Sequence, residues 1–208
     1  MIFALAAVMS ASMLLAGCGS KEEAVEEKVE KDTVEEETEP ADEAELHHIK
    51  IVVKDYGTIE AELDASAAPI TVENFMKLAE EGFYDGLTFH RIISGFMIQG
   101  GDPKGNGTGG AEKTIKGEFA ANGVVNPIKH VRGTLSMARS QNPDSASSQF
   151  FIMHEDAEHL DGQYAGFGHV TAGMEVVDKI CEEAQPVDGN GTIPKEAQPV
   201  IEQIEVVD

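Results

Sequence analysis

Polar and large apolar side chains are interleaved along residues 89–102, the stretch of this sequence best suited to chemistry. Arg91 and Gln99 flank Phe96 and Met97. Taken alone, the apolar residues of such a run indicate an ordinary hydrophobic core. Interleaved with a permanently charged guanidinium and a side-chain amide, they favour an apolar pocket with hydrogen-bond donors at its edge.

Other residues that could carry chemistry lack the neighbours that this chemistry requires. Ser94 and Ser136 do not lie in the glycine-flanked turn of serine hydrolases. The histidines lack the spacing of zinc proteases. The glycine-rich segment 105–110 is not followed by a Lys-Ser/Thr pair or a helical pattern, so it does not predict a phosphate-binding loop. Cys181 lies on the apolar face of a predicted helix, which indicates packing and not redox chemistry. We expect no metal site.

Alternation of apolar and polar residues predicts short strands that would position these groups. Residues 49–53 alternate, the turn Asp55-Tyr56-Gly57 follows, and residues 58–63 alternate again, which is typical of an antiparallel hairpin. Further strands are predicted at Leu87–Ile93, Phe96–Gly100, Gly133–Arg139, Gln149–His154, Ala165–Val170 and Val200–Val206.

Two segments have the apolar periodicity of helices. Pro69 opens the first, in which Val72 and Phe75 share an apolar face, and Gly82 ends it. The second covers about residues 173–183. About seven or eight short strands with two isolated helices predict a mainly β fold, a closed β-barrel whose ends the helices cover.

The charge of the chain excludes some partners. It has 15 basic against 38 acidic residues, a net charge of −23. A nucleic-acid groove needs clustered Lys and Arg, and so does electrostatic docking on anionic lipid. We therefore expect no nucleic-acid partner, and contact with a membrane only through a covalent anchor.

The N-terminal residues suggest such an anchor. Residues 1–17 are uncharged and mostly small or apolar, and the run closes with Leu15-Ala16-Gly17-Cys18. This pattern resembles a bacterial lipoprotein signal, in which Cys18 becomes the lipid-modified first residue of the mature chain. Several acyl chains, palmitate among them, would hold such a cysteine firmly in a bilayer. The alternative is a cytosolic amphipathic helix with a chance cysteine.

An acidic stretch separates Cys18 from the predicted fold. Residues 21–45 contain thirteen acidic residues, three lysines and no aromatic residue. Such a segment buries too little apolar surface to offset its chain entropy, so we expect a disordered tether. The predicted organisation is a signal peptide at residues 1–17, a lipidated cysteine and tether at residues 18–45, and one folded domain at residues 46–208.

Within residues 46–208, three groups of residues match family signatures in order and at family spacing. The chain thereby resembles the cyclophilins, which are peptidyl-prolyl isomerases. The resemblance implies an eight-stranded antiparallel β-barrel capped by two α-helices, with no cofactor. The matching runs are Phe89-His90-Arg91-Ile92-Ile93-Ser94-Gly95-Phe96-Met97-Ile98-Gln99-Gly100-Gly101-Asp102, then Gly133-Thr134-Leu135-Ser136-Met137-Ala138-Arg139 with Ser148-Gln149-Phe150-Phe151-Ile152, then Leu160-Asp161-Gly162 with Phe167-Gly168-His169-Val170.

The resemblance also implies roles for single residues. Arg91 matches the catalytic arginine, Gln99 a residue that holds its guanidinium, and His90 a position that contacts the ligand. Rotation about an amide breaks no bond, so neither a nucleophile nor a general base is required. The implied substrate-binding residues are Phe96, Met97, Ala138, Arg139, Ser140, Gln149, Phe151, His159, Leu160 and Tyr164.

Three departures from the family pattern lie near this groove. His159 stands where many cyclophilins have a tryptophan that contacts the drug cyclosporin. Arg139 replaces a more common asparagine, and the loop 141–147 is one residue longer than in the familiar eukaryotic form. The resemblance therefore implies that these departures weaken cyclosporin binding more than they affect catalysis.

Taken together, these patterns imply a monomeric, lipid-anchored isomerase on the extracytoplasmic face of the cell membrane. Its substrates would be Xaa-Pro bonds in exported, unfolded or partly folded polypeptides, where uncatalysed exchange takes about tens to hundreds of seconds. One alternative is a peptide-binding or holdase module that uses the same groove. Another is an adhesin that uses the acidic stretch. Intact Arg91 and Gln99 favour the enzyme.

Overall fold

A computed structural model describes residues 45–207, so the predicted signal peptide, Cys18 and the tether up to Ala44 lie outside the described residues. The described part contains eight strands and two α-helices. The strands are β1 Leu46–Val53, β2 Gly57–Asp64, β3 Arg91–Ile93, β4 Met97–Gly100, β5 Thr134–Met137, β6 Phe150–Met153, β7 Gly166–Ala172 and β8 Ile201–Val206; the helices are α1 Pro69–Glu80 and α2 Met174–Glu183.

The strands form one curled antiparallel sheet in the order β3-β4-β6-β5-β7-β2-β1-β8. Its two end strands do not share a continuous ladder. The segments that precede them meet instead at an isolated bridge between Thr88 and Val200. The amide of Phe89 donates to the carbonyl of Pro199 (2.9 Å), and that of Ile201 donates to Leu87 (2.8 Å). The predicted eight-stranded antiparallel fold with two helices is confirmed.

The pairing at this seam explains one difference from the sequence-based prediction. A single strand was expected over Leu87–Ile93, but only Arg91–Ile93 pairs with β4. Residues 87–89 instead form backbone hydrogen bonds with residues 199–201, at the start of β8. The chain therefore pairs first with β8 and only from Arg91 onwards with β4. Residues 45–207 also contain three 3₁₀ helices that the periodicity did not predict, Ala120–Asn122, Glu158–Leu160 and Lys195–Ala197.

The first hairpin follows the predicted alternation. Ile49, Ile51 and Val53 of β1 are buried in the barrel core, and Ile51 pairs directly with Ile59 of β2. Successive residues of a strand point to opposite faces of a sheet, so the polar residues between them face solvent. The predicted hairpin is confirmed.

Both helices bury one face against the sheet. In α1 this face includes Val72 and Phe75, and in α2 it includes Ile180 and Cys181. Phe75 packs inside the barrel with its ring 5.2 Å from that of Phe150. Within residues 45–207, neither helix has the length and continuous apolar sequence that a membrane crossing requires.

The first turn of α1 is stabilised by a residue far along the chain. The carboxylate of Glu118, almost fully buried, accepts hydrogen bonds from the amides of Ile70 (3.1 Å) and Thr71 (2.8 Å). The first amides of a helix have no partner within it, and a negative charge is favourable there. Glu118 thereby fastens α1 to the loop that leads towards β5.

Candidate active site

The short hairpin of β3 and β4 places an arginine and a glutamine side by side. Arg91, at the start of β3, pairs with Gln99 of β4. Paired residues of neighbouring strands project from the same face of a sheet, so their side chains meet. The Nη1 atom of Arg91 donates to Oε1 of Gln99 at 3.1 Å and lies 3.7 Å from Sδ of Met97.

A second contact fixes the other edge of the guanidinium. The Nε atom of Arg91 donates to the backbone carbonyl of Asn190 at 2.7 Å. The remaining terminal nitrogen, Nη2, donates to no group in residues 45–207. Desolvation lowers the pKa of Arg91, and the nearby Tyr164 and Asp188 oppose this shift. An arginine remains protonated at physiological pH after such a shift, so the site keeps a fixed positive donor with one free edge.

Gln99 is itself held by a chain of amides. Its Nε2 donates to Oε1 of Gln149 at 2.9 Å, and Nε2 of Gln149 donates to the carbonyl of Gly109 at 2.7 Å. These contacts determine the orientation of the Gln99 amide, whose oxygen must then face Arg91. The predicted role of Gln99 in holding the guanidinium matches this geometry.

An apolar pocket of about 540 Å³ opens next to Arg91. Its floor and wall are Met97, Phe151 and Leu160, each more than nine-tenths buried. Met153 and Ala157 are buried in the same apolar cluster. Tyr164 closes one side, with its ring edge-on to Phe151 at 5.9 Å between centroids.

Three further predicted residues form the rim of this pocket. The imidazole of His159 stacks on the ring of Phe96 with centroids 5.9 Å apart. Arg139 lies over the ring of Tyr164 at 4.7 Å and donates from Nη2 to the carbonyl of Gln163 at 2.8 Å. The Arg139 side chain therefore braces the rim, a role that the sequence analysis did not assign to it.

A second, more polar depression of about 280 Å³ adjoins the first. The two share Gln99, Ala138 and Arg139 as lining residues. Ser140 and Gln149, both predicted as substrate-binding, lie in this second depression beside the segment Gly107–Gly109. An extended peptide could therefore contact both depressions at once.

Of the predicted catalytic and substrate-binding residues, all of which lie within residues 45–207, His90 alone lines neither depression. It is 4% exposed, and its ring lies beneath the backbone of Gly107. Desolvation lowers the pKa of His90, although the nearby Asp102 opposes the shift. His90 is therefore mainly neutral at physiological pH, and its contact with a ligand stays a prediction.

Sequence reasoning missed several residues of the site. Gln163 lines the pocket, and His130 stacks behind Phe151 with centroids 6.1 Å apart. His130 is fixed by Asp161, 3.1 Å from Nδ1, and by Ser136, 2.9 Å from Nε2. No sequence pattern marks these contacts, because they join residues of separate elements. The carbonyl of Asn190 was missed for the same reason.

The groups that line this pocket can bind a ligand and donate hydrogen bonds to it. Within residues 45–207, no group of three or more His, Cys, Asp or Glu side chains is arranged to hold a metal ion. Burial raises the pKa of the Cys181 thiol to about 12, which makes it a poor nucleophile. The apolar pocket with a charged donor at its mouth suits a neutral apolar ring attached to a polar backbone.

Comparison with known protein families supports the resemblance to the cyclophilins that the sequence motifs indicated. The model of the family described as cyclophilin type peptidyl-prolyl cis-trans isomerase/CLD matches residues 48–206. Peptidyl-prolyl cis-trans isomerase B of Bacillus subtilis is 48% identical over 147 residues, which cover 71% of this chain and 94% of that protein. A peptidyl-prolyl cis-trans isomerase of Helicobacter pylori strain J99 is 50% identical over 126 residues, which cover 60% of this chain and 75% of that protein.

Solved structures of cyclophilins have a similar fold. A cyclophilin type peptidyl-prolyl cis-trans isomerase of Cryptosporidium parvum superposes with a TM-score of 0.69 at 31% identity, covering 78% of this chain and 98% of that one. The same protein in the presence of the dipeptide Ala-Pro gives a TM-score of 0.68 at 32% identity, covering 77% and 99%.

Proposed function

Since the chain belongs to the cyclophilin-type peptidyl-prolyl cis-trans isomerases, we propose that it catalyses isomerisation of Xaa-Pro bonds in exported proteins while anchored to the outer face of the cell membrane. The isomerase activity is the activity of the family. We propose in addition that the substrates are exported proteins, that Cys18 anchors the protein, and that the site residues have the roles given below. The observation that supports it most strongly is the free edge of the Arg91 guanidinium beside an apolar pocket.

The pocket formed by Met97, Phe151 and Leu160 would receive the proline ring. The ring is apolar and rigid, so its transfer from water into this pocket is favourable and orients the bond that precedes it. A related cyclophilin has been crystallised in the presence of Ala-Pro, which supports a proline-containing ligand. The residues before proline would then run past Gln99 into the second depression.

Arg91 would act on the twisted amide. Conjugation gives the C–N bond double-bond character and a rotation barrier of about 18–20 kcal/mol. When the bond is twisted, this conjugation is lost and the proline nitrogen regains a lone pair that can accept a hydrogen bond. A donor placed at that nitrogen stabilises the twisted state more than either planar isomer, and this difference is what accelerates the reaction. The free edge of Arg91 could supply that donor.

Catalysis of folding can be separated from simple peptide binding by a refolding experiment. The substrate would be a secreted protein whose slow refolding phase is limited by an Xaa-Pro bond, a phase of about 10–100 s at 25 °C. The wild-type protein should shorten the slow phase, and Arg91→Ala should not. If both proteins raised the refolded yield equally without changing the rate, the groove would serve as a holdase.

The sequence of residues 15–18 supports the anchor. Cells that express the full chain and are fed radiolabelled palmitate should incorporate label into the protein and retain it in the membrane fraction. The Cys18→Ser variant should lose both the label and the membrane retention. Equal label in the two proteins would contradict lipidation at Cys18. This result would not depend on the isomerase activity of either protein.

A further inference from the structure

We propose that Asp188 is a positioning residue for Arg91, and that it acts by fixing the turn from Asp188 to Thr192, named here the anchoring turn. The inference rests on the role proposed for Arg91. If the inference holds, catalysis requires a second contact on the Arg91 guanidinium, on the side opposite Gln99. The residue that meets this requirement is exposed and lies outside both depressions.

The carboxylate of Asp188 holds the anchoring turn together from inside. Its Oδ1 accepts hydrogen bonds from the amides of Asn190 at 2.9 Å and Thr192 at 3.1 Å. Its backbone carbonyl accepts a third from Gly191 at 3.2 Å. An aspartate whose side chain accepts a hydrogen bond from the backbone amide two residues ahead stabilises a turn locally. These contacts, with that of Thr192 first, also lower the pKa of Asp188.

The anchoring turn is attached directly to the strand that carries Arg91. Thr192 pairs with Arg91 in an isolated bridge, and the amide of Ile92 donates to the carbonyl of Gly191 at 2.8 Å. Gly191 adopts φ +83°, and a Cβ there would lie 2.6 Å from the carbonyl oxygen of Ile92. Only glycine permits this close approach. The approach brings the carbonyl of Asn190 within 2.7 Å of Nε of Arg91.

The consequence concerns the orientation of the guanidinium plane. A contact at Nη1 alone, from Gln99, leaves the group free to swing about that contact. A second contact at Nε, on the other edge, removes this freedom because the guanidinium is rigid and planar. Nη2 is then presented in one direction. Loss of the Asp188 hydrogen bonds would release the Asn190 carbonyl and with it this second contact.

Two properties of Asp188 could act on Arg91, and two variants separate them. Its charge opposes the downward shift of the Arg91 pKa, but Asp188 is exposed and such a charge is screened by solvent. The hydrogen bonds depend on an acceptor oxygen, which asparagine also has. Asp188→Asn therefore keeps the turn and removes the charge, whereas Asp188→Ala removes both.

The test compares Asp188→Ala, Asp188→Asn and a matched control, Asp64→Ala. Asp64 also accepts two backbone amides in a turn, those of Ser66 (2.9 Å) and Ala67 (3.0 Å), and lies outside both depressions. Two measurements are made. Kinetics on an Xaa-Pro peptide give kcat and KM, and the NMR signal of the Arg91 Nε–H gives the rate at which this proton exchanges with water. Arg91→Ala is assayed in parallel.

We expect Asp188→Ala to lower kcat by about tenfold with little change in KM, since small displacements of a catalytic group have effects of this size or larger. Its Arg91 Nε–H should exchange faster. Asp188→Asn and Asp64→Ala should match the wild type in both measurements.

The inference is overturned if Asp188→Ala keeps wild-type kcat, or loses kcat while the Nε–H exchange stays unchanged. It is also overturned if Asp188→Asn is as impaired as Asp188→Ala, because the charge and not the turn would then matter. These failures are distinct from failure of the proposed function. Wild-type turnover in Arg91→Ala would contradict the role of Arg91 itself.

Discussion

The guanidinium of Arg91 lies against the side-chain amide of Gln99, with 3.1 Å between Nη1 of the arginine and Oε1 of the glutamine. This contact is one link in a series that runs from the carbonyl of Asn190 through Arg91, Gln99 and Gln149 to the carbonyl of Gly109. Every member is neutral except Arg91. This series therefore places one fixed charge, that of Arg91, beside the pocket, which fits a reaction in which no proton is transferred.

The pocket can be tested with two neighbouring residues of β6. Phe151 faces the pocket, whereas Phe150 points to the opposite face and packs in the barrel core. We expect Phe151→Leu and Phe150→Leu to lower the free energy of unfolding by similar amounts, about 1–3 kcal/mol. Only Phe151→Leu should weaken binding of a proline peptide, by about tenfold, equivalent to about 1.4 kcal/mol. Calorimetry with thermal melts measures both, and unchanged affinity in folded Phe151→Leu would make this residue a core residue only.

His159 is expected to limit cyclosporin binding. Its imidazole is exposed and stacks on Phe96 at the rim of the pocket. An indole has a broader apolar face than imidazole and an N–H donor. Titration with the drug should therefore show tighter binding by His159→Trp than by the wild type, with peptide turnover nearly unchanged. Equal drug affinity in the two proteins would show that the residue at position 159 does not determine the affinity for cyclosporin.

Acid should lower the stability that Asp102 gives to the loop after β4. The pKa of its carboxyl determines the pH range in which this stability is lost. Burial raises the pKa of this carboxyl, but hydrogen bonds from the amides of Lys104, Asn106, Gly109 and Gly107 outweigh burial and lower the pKa below its usual 3.8. A depressed pKa contributes stability above the pKa of the unfolded chain, about 4, and this contribution is lost as the pH falls through the folded value.

The corresponding measurement compares melting temperatures of the wild type and Asp102→Asn at pH 6 and at pH 3. At pH 6 the variant should melt at a clearly lower temperature, because the wild-type carboxylate is ionised. At pH 3 the difference should shrink, because the carboxyl of the unfolded wild-type chain, with a pKa of about 4, is then largely protonated and the stabilisation that comes from the depressed folded pKa is being lost. A difference that stays constant between the two pH values would contradict the account of Asp102.

Anchoring and catalysis are expected to be separable. The acidic residues between Cys18 and the first strand have neither the apolar content nor the periodicity needed to pack on the domain. A protein that begins at Ala44 should therefore fold and turn over a proline peptide as fast as the full chain. A markedly faster truncated protein would indicate an autoinhibitory tether. A truncated protein that fails to fold would show that the acidic segment belongs to the folded domain.

Much of this site could be predicted from sequence because its side chains lie in short, contiguous motifs. Arg91 and Gln99 flank one turn, so the strand pairing that joins them is local. The alternation of residues 49–53 and 58–63 likewise fixed the first hairpin, since one face of each strand had to be apolar. Nearly all predicted pocket residues line one of the two depressions.

What could not be predicted depends on contacts between distant segments. Asn190 holds Arg91 through a backbone carbonyl, a group that every residue has, so its identity gives no signal. The braced conformation of Arg139 depends on the ring of Tyr164 and the carbonyl of Gln163, which only the folded chain brings together. The burial of His90 beneath Gly107 is of the same kind, because the motif specifies the residue and not the loop above it.

The most direct test of the account is the turnover of Arg91→Ala and Arg91→Lys with an Xaa-Pro peptide, measured together with peptide affinity. A donor that acts mainly on the twisted amide contributes to kcat more than to binding. Arg91→Ala should therefore bind the peptide nearly as well as the wild type but isomerise it far more slowly. Arg91→Lys should restore little, since a point charge cannot reproduce the planar guanidinium held by Asn190 and Gln99. Wild-type rates in Arg91→Ala would contradict the mechanism.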